Sequence, residues 1–286
     1  LKAMGGLGRS PYPQKSYPTM PSQLEYSYAI DTEAFKYVVL KLCVEAGVDL
    51  LLHTWFADAI LDNSVVRGVI IENKSGRRAL MARVVVDASG DGDVAARAGV
   101  PFWQTVHDEA PRLNDALMYR IEFGATRPTA PYACDFDTNA VVWGPGVAPI
   151  NGADAEQLSQ AEVDARLRVY EDFAAKQSQY PELAGAHVVE TPPLLGVRQT
   201  RFIEGEYKLT AEDAIVGRRF DDVIAISSCP IIHYYGYRRY LEHEGYDIPY
   251  RSLVPQRVDG LLVTGRCISS EQQPYESHRA MVPMMA

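Results

Sequence analysis

The first regular pattern of apolar residues predicts a helix between positions 35 and 46, where they recur at the spacing of one helix face. Asp31 stands before this pattern as an N-cap, and Gly47 follows it as the glycine that ends the helix. Four prolines within 9–28 predict an extended loop upstream. The apolar run at 48–53 predicts a buried parallel strand directly after the helix.

Short apolar runs beyond residue 54 predict further strands. Three of them, at about 56–61, 65–72 and 78–81, have hairpin spacing and indicate a small antiparallel meander. The runs at 84–86 and 261–264 are typical of buried parallel strands. Other strands are predicted at about 116–123, 187–190, 199–204 and 223–227.

Two capping boxes predict where later helices begin. Ser159-x-x-Glu162 is expected to open a helix that carries one apolar face, formed by Val163, Leu167, Tyr170 and Phe173 or Ala174. A second, weaker box, Thr210-x-x-Asp213, predicts a shorter helix. The order of elements predicts an α/β fold whose main domain is interrupted by an inserted region.

Composition excludes several classes of function. The 286 residues carry a net charge of -9, and no cluster of Lys and Arg suggests a nucleic-acid surface. No apolar run approaches the ~20 residues of a membrane helix. The four cysteines form no C-x-x-C pair, so no metal site is predicted, and their scarcity favours a reducing, cytoplasmic location.

The segment Asp87-Ala88-Ser89-Gly90-Asp91-Gly92 lies between a predicted buried strand and a helix. The edge of an open α/β sheet at this position binds ligands, and glycines there let a ligand approach the backbone. The alternative is a tight turn in which Asp91 or Asp93 serves as an N-cap. Gly265-Arg266 after the last predicted strand repeats the pattern, with a surface salt bridge as the alternative for Arg266.

Three further residues are candidates for catalysis. Arg198 and Arg201 are three positions apart, so an extended chain points them to opposite sides, and two structural ion pairs are the alternative. His233 lies in an apolar, aromatic stretch, where a buried structural histidine is the more common outcome.

Four segments in this order resemble the bacterial FAD-dependent oxidoreductases with a glutathione-reductase-type flavin domain. They are Glu45-Ala46-Gly47-Val48, VVVDASGDGDVAARAGVPF at 84–102, GVRQTRFIEGEYKLTAEDA at 196–214, and IPYRSLVPQRVDGLLVTGRCIS at 248–269. The resemblance implies a partial Rossmann-like FAD-binding domain at 1–102 and 191–286. Residues 103–190 match poorly and are expected to form an inserted substrate region.

The resemblance also implies roles for individual residues. Ala88, Ser89 and Gly90, with Asp91 and Gly92, are expected near the FAD phosphates or adenosine, and Ala57 near the adenine. Gly265 and Arg266 would approach the ribityl and phosphate groups, and Arg279 the flavin ring. The family's G-x-G-x-x-G phosphate unit is not among these residues, so the chain as given is expected to bind FAD weakly or not at all.

Hydride transfer from an unidentified small organic substrate to FAD is therefore the expected function, with Arg198, Arg201 and His233 on the substrate side. The partner is expected to be this small molecule, with neither nucleic acid nor membrane involved and a homo-oligomer left open. Two alternatives remain: a non-catalytic fragment that does not hold FAD, and a nicotinamide-dependent dehydrogenase.

Overall fold

A computed structural model describes residues 1–8, 29–104, 115–125, 134–148, 150–232 and 238–285. The chain divides into two compact units, described separately below. Unit 1 comprises 1–50, 114–150 and 154–198, and unit 2 comprises 51–113, 151–153 and 199–286. This grouping differs from the expected division: residues 1–50 and 191–198 belong with most of the predicted inserted region, while 103–113 and 151–153 belong to unit 2.

The described residues form a mixed set of helices and strands. The helices are α1 (Thr32–Glu45), α2 (Asp93–Arg97), α3 (Ala155–Gln179), α4 (Ala211–Val216), α5 (Gln272–His278) and α6 (Met281–Met285). The strands are β1 (Leu7–Gly8), β2 (Ala29–Ile30), β3 (Thr54–Asp62), β4 (Val65–Asn73), β5 (Gly76–Met81), β6 (Val85–Asp87), β7 (Phe102–Gln104), β8 (Tyr119–Glu122), β9 (Cys134–Asp135), β10 (Asn139–Val142), β11 (His187–Glu190), β12 (Arg201–Ile203), β13 (Val223–Ser227), β14 (Ile231–Ile232), β15 (Arg238–Arg239), β16 (Tyr246–Pro249) and β17 (Leu261–Val263). Within the described ranges, no helix combines the length and the apolar character that crossing a bilayer requires.

Unit 1 is built on an antiparallel sheet with the strand order β11-β8-β10-β9. Alternate side chains of β8 and β10 form a core with the long helix α3; the buried residues include Tyr119, Ile121, Ala140 and Val142 from the strands. The helix contributes small residues and one aromatic ring: Ala161, Ala165, Val169 and Phe173. These small side chains let the helix lie close to the sheet.

The predicted start and face of α3 are wrong. The helix begins one turn earlier than Ser159, because Asp154 caps it by accepting hydrogen bonds from the backbone N–H groups of Glu156 and Gln157. Ser159 is inside the helix and donates to the carbonyl of Ala155. Three positions of the predicted apolar face, Val163, Leu167 and Tyr170, are solvent-exposed, with Leu167 73% accessible, whereas Phe173 is buried in the core. Helix α3 has two apolar stripes, and the stripe with the smaller residues packs against the sheet.

Helix α1 has the predicted N-cap, since Asp31 Oδ1 accepts a 2.9 Å bond from the Ala34 N–H. None of its residues is buried, however, so its apolar positions do not pack as predicted. The strand predicted at 48–53 is also wrong: these residues form none, and Leu52 is 67% exposed. A parallel strand needs neighbouring backbone groups, and within the described ranges no segment pairs with this one.

Unit 2 confirms most of the predicted strands. The meander β3-β4-β5 is present, and β6 pairs in parallel with β17, which confirms a parallel strand at each apolar run. The predicted burial is wrong for the first run, since Val84 and Val86 are each 55% exposed. The Thr210 capping box is also confirmed at the start of α4, where Thr210 and Asp213 exchange side-chain and backbone hydrogen bonds. The core of this unit includes Val94, Ile203, Leu261 and Val263.

The close packing of unit 1 at Gly144 predicts a sharp effect of one added methyl group. A Cβ there would fall well inside van der Waals contact with the carbonyl oxygen of Leu117, whereas a Cβ on Gly146 would find its nearest atom 4.0 Å away. We expect Gly144→Ala to lower the free energy of unfolding by about 1–3 kcal/mol, as overpacking does. Gly146→Ala is the matched control in urea unfolding, and equal midpoints for the two variants would contradict this account.

The buried histidine of α5 predicts a pH-dependent stability. Burial lowers the pKa of His278 from 6.5 to about 3 in the folded protein. Between these values the unfolded chain binds a proton that the folded one does not, so stability falls as the pH drops below about 6.5, by up to ~1.4 kcal/mol per pH unit. We expect His278→Gln to flatten this decline in urea unfolding at pH 7 to 4. The exposed His187→Gln is the control, and unchanged slopes in both variants would refute the prediction.

Candidate functional site

Strands β6 and β17 end side by side, and this brings two glycine-containing loops together. Val263 is paired with Asp87, and the Thr264 N–H donates a 3.0 Å bond to the Asp87 carbonyl. Residues 88–92 and 264–266 therefore leave the same edge of the pair. Ligands of open α/β sheets bind at the carboxyl ends of their parallel strands. The prediction that 87–92 follows a parallel strand is confirmed.

The buried carboxylate of Asp87 holds the first loop in shape. Its Oδ1 accepts from the Ser89 N–H at 3.0 Å and from the Ser89 hydroxyl at 2.6 Å, and its Oδ2 accepts from the Ala95 N–H at 3.0 Å. The Ser89 oxygen in turn accepts from the Asp93 N–H at 3.0 Å. Three donors from the loop and from helix α2 compensate the burial of this charge.

Asp91 joins three segments that are far apart in the sequence. One of its carboxylate oxygens accepts from Arg266 Nη2 at 2.8 Å and from the Thr200 hydroxyl at 2.7 Å. Its backbone carbonyl accepts from Arg201 Nη1 at 3.0 Å. Helix α2 has Gly92 as its N-cap, with no side-chain cap. The N-cap alternative for Asp91 is therefore wrong, and the ion pair of Arg266 belongs to the loop.

The glycines of the two loops differ in how much space surrounds them. Gly90 and Gly265 have left-handed φ values of 77° and 80°, which favour glycine. A Cβ on Gly90 would lie 2.9 Å from Arg266 Nη2, so the guanidinium covers that residue. On Gly265 the nearest atom would be the Met284 sulfur at 3.8 Å. With Ala88 and Ser89 exposed, this edge offers accessible backbone to a ligand beside Gly265.

The structure describes two of the three candidates for catalysis. Arg201 Nη1 donates to Asp93 at 2.8 Å, and its guanidinium lies 5.4 Å from the centre of the Phe102 ring, so Arg201 has structural partners. Arg198 belongs to unit 1, where its backbone N–H donates to Asp115 at 2.8 Å. His233 lies outside the described residues.

The two remaining predicted cofactor contacts, Ala57 and Arg279, lie in unit 2. Ala57 is in β3, at the point where the pairing with β4 shifts register between Phe56 and Asp58. Arg279 follows the last residue of α5. Burial raises the pKa of the Cys229 thiol, and the positive charge of Arg279 partly counteracts this rise.

No group of three or more potential metal ligands occurs in the portion of the chain covered by the structure.

A buried polar network around α5 was not predicted. The side-chain amides of Gln199 and Gln272 exchange hydrogen bonds of 2.8 and 3.0 Å, and Gln272 also donates to Glu276 at 3.1 Å. Glu276 is 3% exposed. His278 completes the buried face of the helix and contacts the Ser270 hydroxyl at 3.1 Å. These residues form no motif, so their assembly depends on tertiary structure that the sequence pattern does not reveal.

Comparison with solved structures gives several partial matches to this chain. A geranylgeranyl bacteriochlorophyll reductase-like protein from Thermoplasma acidophilum has 13% identity and a TM-score of 0.44, with 90% of this chain covering 49% of that one. A myxobacterial chondrochloren halogenase has 17% identity and a TM-score of 0.41 over 92% of this chain and 51% of that one. The p-nitrophenol 4-monooxygenase from Pseudomonas putida has 14% identity and a TM-score of 0.42 over 63% of this chain and 45% of that one. This chain thus spans about half the length of these proteins.

The comparison with curated proteins finds no match. The profile of one protein family, described as FAD dependent oxidoreductase, matches residues 4–122 and 109–286. These two matches extend over nearly the whole chain and include both glycine loops. The chain therefore belongs to the FAD-dependent oxidoreductase family.

Proposed function

We propose that this chain contributes to an FAD-dependent hydride transfer from a small organic substrate, with the edge formed by β6 and β17 as part of the FAD site. The observation that carries the proposal is the meeting of two strand ends with left-handed glycines, Gly90 and Gly265, in a chain of this family. The pair of parallel strands would belong to a partial Rossmann-like domain. FAD would supply the hydride acceptor, while the protein supplies binding and orientation.

The residues of this edge fit a phosphate or ribityl group through their backbone. A Cβ at Gly265 would meet no atom closer than 3.8 Å, and exposed Ala88 and Ser89 stand at the neighbouring strand end. Arg266 would add a positive charge, and Asp91 would act as a positioning residue that holds the guanidinium over Gly90. Backbone N–H groups and a guanidinium are the usual partners of phosphate oxygens in proteins.

On the substrate side, Arg198 and His233 stay predictions, and unit 1 is the proposed substrate region. Arg201 is the weakest of the three candidates, because its Nη1 group already donates to Asp93 and to the Asp91 carbonyl. A cytoplasmic location and a small-molecule partner also remain predictions. A non-catalytic protein and a nicotinamide-dependent dehydrogenase are the alternatives.

The flavin content of the purified protein tests the function. We expect protein expressed from its natural reading frame to show flavin absorption, and heat release followed by chromatography to yield FAD at about one equivalent per chain. Reduction of this flavin by a member of a panel of small organic donors would support catalysis. Protein with no flavin that binds NAD would favour the dehydrogenase, and binding of neither cofactor would favour a non-catalytic protein.

Substitution of Arg266 tests the proposed position of the cofactor. We expect Arg266→Gln to weaken FAD binding roughly tenfold or more, because a hydrogen bond to a charged group contributes about 1.5–3 kcal/mol. Fluorescence titration of the apoprotein measures the change. Arg251→Gln is the matched control, since Arg251 forms an exposed ion pair with Asp222 in the same unit. Equal affinities of the two variants would place FAD away from Arg266.

A further inference from the structure

Unit 1 contains a pocket of about 310 Å³ on the face of its sheet that points away from α3. Side chains of a strand alternate between the two faces, so Met118 and Val141 line this pocket while their neighbours join the core. Pro192 and Pro193 add further apolar wall, and the first turn of α1 forms the polar side. A pocket of this size, mainly apolar with a few converging polar groups, is typical of small-molecule sites.

Arg120 is the central polar group of the pocket. Its guanidinium donates to Glu190 at 3.2 Å, to Asp31 at 3.3 Å, to Asn139 at 2.8 Å and to Thr32 at 2.8 Å. These contacts come from two strands and from the start of α1, and the side chain is 12% exposed. They use four of the five N–H groups of a guanidinium, and one Nη2 hydrogen has no acceptor among the described residues.

The charges around the pocket disfavour an ionic ligand. Two carboxylates, Asp31 and Glu190, already neutralise Arg120, while Lys36 is paired with Glu33 at 2.6 Å. An anion would meet more carboxylates than cations here. A cation would have to compete with Arg120 for its partners. An uncharged molecule with an oxygen acceptor avoids both costs and can use the remaining N–H.

We propose that this pocket binds an uncharged, mainly apolar organic molecule whose carbonyl or hydroxyl oxygen accepts a hydrogen bond from Arg120. The apolar walls would bury its hydrocarbon part, and the guanidinium would orient its polar end. Its role as the substrate class of the enzyme rests on the proposed function, whereas binding to the pocket does not. The binding test therefore needs no flavin.

Three probes of similar shape distinguish the classes by charge: benzamide, benzoate and benzylammonium. Ligand-observed NMR on the purified chain without added flavin is expected to give saturable binding of benzamide. Benzoate and benzylammonium are expected to bind roughly tenfold more weakly, because each loses the hydrogen bond or meets an unfavourable charge. Tighter binding of either ion would overturn the proposed ligand class.

Pocket-filling variants locate the binding site. Val141→Phe is expected to abolish benzamide binding, because the added ring occupies the cavity. Val163→Phe is the control, since Val163 lies on the exposed stripe of α3 and is 53% accessible. Circular dichroism and thermal unfolding confirm that both variants fold. Unchanged binding in Val141→Phe would overturn the proposed site, and so would a lack of benzamide binding to the wild-type chain.

The proposed function can fail independently. Benzamide binding that is lost in Val141→Phe, in a protein found to carry no flavin, would uphold the pocket and refute the flavin chemistry. Flavin binding without benzamide binding would refute the pocket and leave the proposed flavin site standing.

Discussion

The hydrogen bonds of Asp91 are the interaction on which the arrangement of unit 2 depends. A single carboxylate oxygen holds the end of β17 through Arg266 and the start of β12 through Thr200. The partners are 175 and 109 residues away along the chain. Ordering such distant segments costs conformational entropy, and a partly buried, charge-assisted contact helps to offset that cost. Without it, the two glycine loops would share a strand pair but not a fixed relative position.

The charges around Asp91 bear on how an anion would bind at this edge. Arg201 and Arg266 face Asp91 and Asp93, so these four side chains together carry no surplus positive charge. Attraction by net charge therefore cannot be the main term for a phosphate. Gly265 has a left-handed backbone that only glycine takes up without strain, and a Cβ there would meet no atom closer than 3.8 Å, so an anion has room to approach this edge. Asp91 fixes the position of the Arg266 guanidinium at the same edge.

Much of unit 2 was predictable from sequence because its signals are local. The β-meander, each of the two apolar runs that form β6 and β17, and the Thr210 capping box are recognised from residues within a short window. The face of α3 was not predictable, since Val163 and Leu167 form as regular an apolar stripe as Ala161 and Ala165. Choosing between them requires knowing how closely the sheet approaches. The run at 48–53 has strand composition, but the partner that would pair with it is not among the described residues.

The site residues also divide into those with a local sequence signal and those whose role depends on tertiary structure. The glycine loops were found because a strand followed by glycine is a local pattern with a known structural consequence. A structural ion pair of Arg201 was predicted only as an alternative, and its acceptors could not be named, because Asp93 and the Asp91 carbonyl belong to a segment more than a hundred residues away. Arg120 is a comparable case in unit 1, since its partners come from α1, β10 and β11. In both units a guanidinium with several distant acceptors fixes the backbone around a cleft. Where carboxylates neutralise it, as at Arg120, it selects a ligand by hydrogen bonding and shape rather than by charge.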